Sequence, residues 1–266
     1  MKPPVDVELT TVADTHAVFH RGDEVIRIDN LQPGTEHTEL GITFRTLTPP
    51  PGRLLSTFAT VNDVHFGETE CGRIDDNPEG PIMRPLPGER PYPLTMNEGA
   101  VAEISALAPD AVIVKGDLTE DGRPEEFAAF RETYGVFGDR LHTVRGNHDR
   151  WITDRPRDKL GASDRFVLDT LDADWVRKLY DLPKTIELSA DVLAVHGTPW
   201  DDNTYLLEDT ASGRMAPSAR DKVIERLGDS LHWPVILCGH SHRQAVVQIP
   251  GGPMILNPGT VGSPVS

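Results

Sequence analysis

Two hydrophobic rhythms run along this chain, and they change near residue 53. Before it, apolar residues alternate with polar ones in short runs: Val5, Val7 and Leu9, then Val25, Ile26 and Ile28, then Ile42, Phe44 and Leu47. Turn signals separate the runs, at Arg21-Gly22-Asp23 and at Gln32-Pro33-Gly34-Thr35. Alternation with a period of two between turns predicts half-buried antiparallel strands. Residues 1–52 are therefore read as a small N-terminal antiparallel β unit, closed by the stiff stretch Thr48-Pro49-Pro50-Pro51-Gly52. The corner Leu31-Gln32-Pro33-Gly34-Thr35-Glu36-His37 is similar to that of fibronectin type III repeats, with His37 where a tyrosine usually stands.

After Arg53 the strand candidates are less strictly alternating and richer in apolar residues: 54–61, 111–115, 141–144, 191–195 and 235–238, with further candidates at 245–249 and 254–256. Runs this short predict strands buried on both faces. Helical patterns fall between them, at 95–107 with Thr95 as cap and Glu98 at the capping-box position, at 124–134 and at 217–227. Residues 68–94 are rich in proline, glycine and charge and are expected to form a long loop. Strands alternating with helices predict an α/β layered fold over residues 53–266.

Charge and cysteine content narrow the partners. The chain has 266 residues, 26 basic and 42 acidic, for a net charge of −16. Such a chain repels polyanions at long range, which argues against general nucleic-acid binding and against anionic membranes. Two cysteines, Cys71 and Cys238, make no disulfide framework and suit a reducing compartment. Met1-Lys2-Pro3-Pro4-Val5-Asp6 lacks the apolar core of a signal peptide, and no window reaches the ~18 apolar residues of a membrane span. The expected location is the cytoplasm.

The candidate chemistry lies at the strand ends. Five apolar runs each stop at residues of ligand type: Asp63 and His65; Asp117; Asn147 and His148; His196; His240 and His242. Alone, each is ordinary. Asp-x-His is commonly solvated, Gly116-Asp117 suits a turn, and His196 suits a hydrogen-bonded core position. Together and in this order they converge, because α/β sheets gather their sites beyond the carboxyl ends of strands. In His240-Ser241-His242, an extended backbone would place the imidazoles roughly 6.6 Å apart on one side, which suits two neighbouring ions better than one. Imidazole nitrogen with carboxylate and amide oxygen suits Mn, Fe, Co or Zn, and the lack of cysteine ligands argues against a structural zinc. Two ions about 3.5–4 Å apart can hold a bridging hydroxide and clamp the oxygens of an in-line phosphoryl displacement. One strand-end aspartate from the middle of the array must then sit between them. Two divalent ions less the charges of Asp63 and Asp117 leave a positive centre inside an acidic protein.

These motifs resemble the calcineurin-like metallophosphoesterase superfamily. Asp63-Val64-His65, Gly116-Asp117, Gly146-Asn147-His148-Asp149, His196 and Gly239-His240-Ser241-His242 match its signature in order. The resemblance implies a four-layer β-sandwich of two mixed sheets flanked by helices. It implies one ion on Asp63, His65, Asp117 and His242 and a second on Asp117, Asn147, His196 and His240, with Asp117 bridging. His148 would contact the phosphoryl oxygens beside Asn147 and protonate the leaving alkoxide, a task suited to imidazole, which titrates near neutrality. Asp149 would either orient His148 or cap its own turn.

Departures from the pattern refine the branch. Purple acid phosphatases carry a tyrosine ligand where this chain has Glu120, so a tyrosinate site is not expected. Residues 116–127 are similar to class III cyclic-nucleotide phosphodiesterases, whereas His196-Gly197-Thr198-Pro199 and residues 257–264 look like small broad-specificity prokaryotic phosphodiesterases. The implied activity is phosphodiester hydrolysis of a small substrate, with cyclic nucleotides among the candidates. The alternatives are a phosphomonoesterase or protein phosphatase, and a metal-binding scaffold without catalysis. Trp151 and Trp200 either wall the pocket or pack at its rim; Arg150, Arg155 and Arg157 either meet the substrate or are solvated. The 68–94 segment is either a lid or a surface insertion.

Overall fold

The computed structural model describes residues 7–22, 24–49, 51–74, 77–154, 156–159, 165, 168–169, 173–211 and 214–263. The contacts divide the chain into two units, Met1–Leu55 and Ser56–Ser266.

In the first unit, β1 (Val7–Val12), β2 (Ala17–Arg21) and β3 (Glu24–Ile28) form an antiparallel sheet, and β4 (Glu36–Glu39) pairs with β5 (Ile42–Arg45). Ala17, Phe19, Leu31 and Phe44 are its buried core, with Phe19 edge-on to Phe44 at 5.7 Å. The sequence pattern missed β2 and β4. Small Ala17 conceals the alternation of β2, and β4 has no apolar residue, so only its pairing with β5 makes it a strand. Leu40 and Gly41 join β4 to β5 at φ 51° and 84°, as a two-residue hairpin requires. At the corner, His37 Nε2–H donates to Gln32 O at 3.0 Å and so ties the turn to its start. Val5 lies outside the described residues.

The second unit runs β6 (Phe58–Asn62), β7 (Cys71–Ile74), β8 (Asn77–Met83), α1 (Tyr92–Leu107), β9 (Ala111–Lys115), α2 (Pro124–Tyr134), β10 (Leu141–Val144) and α3 (Asn147–Asp154). After a helix at Ala173–Tyr180 come β11 (Thr185–Ser189), β12 (Val192–Val195), the short pair β13 (Glu208–Asp209) and β14 (Ala216–Pro217), and a helix at Arg220–Leu227. The last strands are β15 (Val235–Leu237), β16 (Gln244–Gln248) and β17 (Met254–Pro258).

One sheet has the order β10-β9-β6 and is parallel throughout; the other, β11-β12-β15-β17-β16, is mixed. Helix α1 returns the chain from β6 to β9, and α2 returns it from β9 to β10, the crossovers that parallel pairing needs.

Strand alternation assigns the layers. Val112 and Val114 pack with Ile104 of α1 and with Phe127 and Phe130 of α2. Ile113, between them in sequence, packs instead with Ala194 and Leu237 of the other sheet. On that sheet's far side, Leu193, Val195, Ile236 and Cys238 meet Val223 and Leu227 of the helix at Arg220–Leu227. The result is helix, sheet, sheet, helix. Strands covered on both faces read as unbroken apolar runs, and each fully buried Val or Ile side chain contributes roughly 1.5–3 kcal/mol.

Several expectations change, among them the helix expected at 217–227, which begins at Arg220 because Pro217 pairs in β14. Helix α1 begins at Tyr92, not Thr95, with Pro91 as its cap and Pro93 in the first turn, where a missing N–H costs nothing. Glu98 closes no capping box; it pairs with Arg90 at 2.6 and 2.7 Å. The expected 68–94 loop contains the antiparallel hairpin β7–β8, whose prolines and glycine disguised it. The first strand of the unit starts only at Phe58, leaving Leu54 and Leu55 exposed. No helix among the described residues is long and apolar enough to cross a membrane.

Candidate metal centre

Strands β6, β9, β10, β12 and β15 each deliver a candidate donor just past the carboxyl end. The donors meet in two groups. Asp63, His65 and His242 form one, and Asp117, His196 and His240 the other, with ligand atoms within 4.8 Å of one another in each. Asn147 Oδ1 lies 3.1 Å from His196 Nε2 and so stands with the second group. Asp117 Oδ2 is 3.3 Å from His196 Nε2 and 4.0 Å from His65 Nε2, which puts this carboxylate between the two. The seven donors picked from the sequence thus reach one place.

The backbone is strained to bring them there. Asp63, His65, Asp117, His240 and His242 have φ of 52°, 40°, 46°, 69° and 57°, in the left-handed region that side chains disfavour. Each such residue costs on the order of 1–3 kcal/mol. The bends are held by backbone bonds across the strand ends: His65 N–H to Asp117 O at 3.0 Å, Gly239 N–H to His196 O at 2.7 Å, and Gly262 N–H to Asp63 O at 3.0 Å. This corrects the extended geometry expected for His240-Ser241-His242. Strand β15 stops at Leu237, Ser241 N–H closes a tight turn onto Gly239 O at 2.8 Å, and the two imidazoles enter different groups. Two glycines make the approach possible. A Cβ on Gly116, at φ 73°, would fall on the His196 ring, and one on Gly146 would fall on the Asp117 carboxylate.

The hydrogen bonds at the rear of each ring decide which nitrogen faces inward. His65 Nδ1 lies 2.7 Å from Glu120 Oε2, His196 Nδ1 2.9 Å from Lys115 O, and His242 Nδ1 2.8 Å from Ser263 O. Oxygens of these kinds only accept, so each Nδ1 carries a proton and each ring, when neutral, presents its Nε2 lone pair to the site. Yet His65 Nε2 and His242 Nε2 are 3.2 Å apart, and His196 Nε2 faces two oxygens at 3.1 and 3.3 Å. Asp63 Oδ1, fully buried, accepts no hydrogen bond and lies 3.4 Å from His242 Nε2. Acceptors brought this close repel unless a cation lies among them. The nitrogen and oxygen donors therefore fit divalent ions.

The same demand appears in proton affinities. Burial opposes protonation of His65, but its hydrogen bond to Glu120 and the nearby carboxylates overcome this and lift it to about 9. Burial likewise opposes protonation of His196, and Asp117 and Asp63 lift it to about 10. His240 moves to about 4 through burial and the neighbouring His196. Burial would raise Asp117, yet the surrounding imidazoles, His196 first, hold it well below the usual carboxylate range. A bound cation takes the place of such protons.

Around these donors stand residues the motif reading passed over or left open. Glu120 was noted only as a missing tyrosine; its carboxylate anchors His65, and although burial pushes it up, that bond draws it down to about 2. The Glu120→Ala variant is expected to bind manganese about 10–100-fold more weakly, as carboxylates behind histidine ligands generally do; an unchanged affinity by titration calorimetry would remove Glu120 from the site. Asp149, fully buried, accepts Gly146 N–H at 2.9 Å and Leu118 N–H at 3.4 Å, tying two donor-bearing loops together, and burial raises it to about 7. Tyr205 stacks on His240 at 4.4 Å, and no sequence signal marked it.

A cavity of about 560 Å³ opens onto the donors, with Asn147, His148 and Tyr205 in its wall. Trp200 is not in that wall. It is 58% exposed, its indole N–H donates to Arg226 O at 2.9 Å, and it borders a separate cavity of about 290 Å³ beside Arg150. Arg150 pairs with Asp202 at 2.8 Å and Arg157 with Asp169 at 2.5 Å. The Trp151 side chain and Arg155 lie outside the described residues.

With the geometry established, relatives can be compared. A curated relative, the glycerophosphodiester phosphodiesterase GpdQ of Enterobacter lignolyticus (strain SCF1), is 40% identical over 55 residues. That stretch is 20% of this chain and 20% of the relative, so the chain matches only a fifth of the relative's length. Among solved structures, a hypothetical protein of Pyrococcus horikoshii OT3 superposes with a TM-score of 0.55 at 13% identity, covering 78% of each chain. A metallophosphoesterase from Sphaerobacter thermophilus gives 0.45 at 19% identity over 78% of this chain and 77% of its own. The first of these likenesses shows the fold. The family model described as the calcineurin-like phosphoesterase superfamily domain matches residues 94–266, a range that begins after Asp63 and His65. The chain belongs to the calcineurin-like phosphoesterase superfamily.

Proposed function

We propose that the protein is a dinuclear metal-dependent phosphodiesterase acting on a small substrate. The observation that carries this reading is the 3.2 Å approach of two inward lone pairs, His65 Nε2 and His242 Nε2, beside an Asp63 oxygen that accepts no hydrogen bond. Asp63, His65, Asp117 and His242 would hold one ion, and Asp117, Asn147, His196 and His240 the other. Mn, Fe, Co or Zn all suit these donors. Bound there, such a pair supplies Lewis acidity and a water activated near neutral pH.

The chain's own residues position and protonate. His148 N–H donates to Asp117 Oδ1 at 3.1 Å, and His148 Nδ1–H donates to Glu120 O at 3.3 Å. The second bond fixes the ring with Nδ1–H toward Glu120 O, so the form that serves as acid is the imidazolium, whose Nε2–H faces the leaving alcohol. Asn147 and His148, both in the cavity wall, orient the phosphoryl oxygens. In the overall step a water gives up one proton to solvent as its oxygen joins phosphorus, one ester P–O bond breaks, and the alcohol departs with the proton of the His148 imidazolium, which solvent then reprotonates. All of this chemistry is assigned to the second unit; the N-terminal β unit, residues 1–52, is read as a separate small domain. Two buried free cysteines, Cys71 and Cys238, suit a cytoplasmic setting.

The cavity wall favours a diester. Among the described residues it has no lysine or arginine, and it presents Glu68, Glu70, Glu120 and Asp121. A monoester dianion meets that wall with two charges, a diester with one. The name of the curated relative points to the same class. In the test, chelated protein reloaded with manganese is given bis(4-nitrophenyl) phosphate and 4-nitrophenyl phosphate. Chelation should abolish turnover and manganese restore it, with kcat/KM for the diester at least about tenfold higher, the factor for roughly 1.4 kcal/mol of repulsion. A preference for the monoester would make the protein a phosphomonoesterase; no metal-dependent turnover of either would leave a binding module.

A further inference from the structure

One ion pair joins the two segments that carry most of the second donor group. The first segment is the start of α3, whose opening turn, closed by Arg150 N–H on Gly146 O at 3.1 Å, bears Asn147 and His148. The second is the loop 197–205, which follows His196 just past β12. That loop is folded tightly on itself. Thr198 N–H donates to Asp201 O at 2.9 Å, and the Asp201 carboxylate accepts Asn203 N–H at 3.0 Å and the Thr204 hydroxyl at 2.7 Å. A Cβ on Gly197 would lie within 2.9 Å of the carbonyl oxygens of Thr204, Asp201 and Asp202, so the turn closes only over a glycine. The far end of the loop supports His240: Tyr205 stacks on that ring at 4.4 Å with 25° between the planes, and the ring hydrogen-bonds to the Asn203 backbone. Asn147, His196 and His240 are thus set by these two segments. The rear contacts of the first group lie elsewhere, at Glu120 for His65 and at Ser263 for His242.

Arg150 links the segments. Its Nε donates to both carboxylate oxygens of Asp202 at 2.8 Å, and its Nη2 stands 2.8 Å from Oδ1. The Arg150 and Asp202 side chains are only 24% and 12% exposed. Ion pairs in open solvent contribute little, but a largely buried guanidinium–carboxylate pair with several hydrogen bonds holds its partners in one orientation. Neither residue is in the described wall of the cavity over the donors; both border the separate cavity of about 290 Å³. On its other side the loop is pinned by the Trp200 indole on Arg226 O at 2.9 Å, so loss of the ion pair frees one side of the loop and leaves the other held. We propose, on the reading of this site as a dinuclear centre, that Arg150 and Asp202 are positioning residues whose pair clasps α3 to the 197–205 loop and so keeps Asn147, His196 and His240 gathered around the second ion. The clasp acts through the donors and touches neither ion nor substrate.

The test titrates manganese into the metal-free full chain by calorimetry and follows the same series by electron paramagnetic resonance, which separates a coupled pair of ions from an isolated ion. His240→Ala, lacking a donor of the second group, identifies the binding step that belongs to that group. In Asp202→Asn and in Arg150→Met the same step should weaken on the order of tenfold, the low end for residues behind metal donors. The other step should stay within about twofold, as for independent sites. At manganese levels that just fill both sites of the wild type, these variants should show the spectrum of an isolated ion. The double variant Arg150→Met/Asp202→Asn should be no weaker than either single variant, because each removes the same interaction. Arg150→Lys, which keeps the charge without the planar fork, should recover part of the loss. Equal weakening of both steps marks a general loss of structure and overturns the clasp. Wild-type affinities in both single variants overturn it too, as does a double variant whose loss is the sum of the two. A wild-type chain that takes up only one ion overturns the dinuclear reading, and the clasp with it.

Discussion

His148→Ala is expected to lose turnover of an alkyl phosphodiester by roughly 10²–10⁴-fold, the range for removing a positioned general acid. Metal content should stay at the wild-type value. The two halves of this expectation come from one geometry. His148 belongs to neither donor group, so its ring is not needed to hold an ion. It lines the cavity and is clamped at Nδ1 by the Glu120 carbonyl at 3.3 Å, which assigns Nε2 to the substrate. A side chain that donates a proton matters most when the leaving alcohol is poor. The deficit should therefore shrink as the leaving group improves from an alkyl alcohol toward 4-nitrophenol. Wild-type rates for every leaving group would end the assignment of His148 as acid. An equal deficit for all of them would show that it only positions the phosphoryl group.

Asp117→Ala should have the larger effect on the centre itself. This carboxylate reaches both groups, 3.3 Å from His196 Nε2 and 4.0 Å from His65 Nε2, whereas Asp63 lies 3.4 Å from His242 Nε2 in its own group and no nearer than 4.0 Å to His196 Nε2. It also accepts His148 N–H at 3.1 Å, so its loss loosens the proton donor as well. The variant is expected to retain fewer than two ions and no measurable turnover. Stability gives an independent readout. Ions that bind only the folded chain at about 1,000 times their dissociation constant stabilise it by about 4 kcal/mol. Wild-type protein should show that gain as a rise in Tm on adding manganese, and Asp117→Ala should lose most of it. An alanine variant with two ions and an unchanged manganese response would sink the bridging role.

The strained backbone bears on both results. Five donors adopt left-handed φ values in a fold that otherwise places few non-glycine residues there. Such conformations persist when surrounding contacts over-determine them, and they cluster at working sites. The backbone bonds at the strand ends and the close packing at Gly116 and Gly146 provide that over-determination. Nothing in Asp-x-His or His-x-His reveals it, because φ is set by the turn each strand makes after its last ladder bond.

The local sequence by itself determined the layered α/β plan and which side chains are the candidate donors. Runs such as 111–114 and 235–237 are apolar throughout because both faces of each strand are covered, and that composition is visible without a structure. The donors were visible because each ends such a run, and chemistry needs those residue types wherever they meet. Only the tertiary structure decided how they are partitioned into two groups, which ring nitrogens face inward, and what stands behind them. The lysine and serine carbonyls that fix His196 and His242 are backbone atoms, which any residue type supplies. Glu120 lies 55 residues from the histidine it anchors, and Tyr205 reaches His240 from a separate loop. Such pairings arise between loops that leave neighbouring strands of one sheet, β6 and β9 or β12 and β15, a long-range property that short-range spacing does not encode. The same holds for β4 and for the β7–β8 hairpin: their residues carry no strand signal, and pairing with a neighbour alone makes them strands.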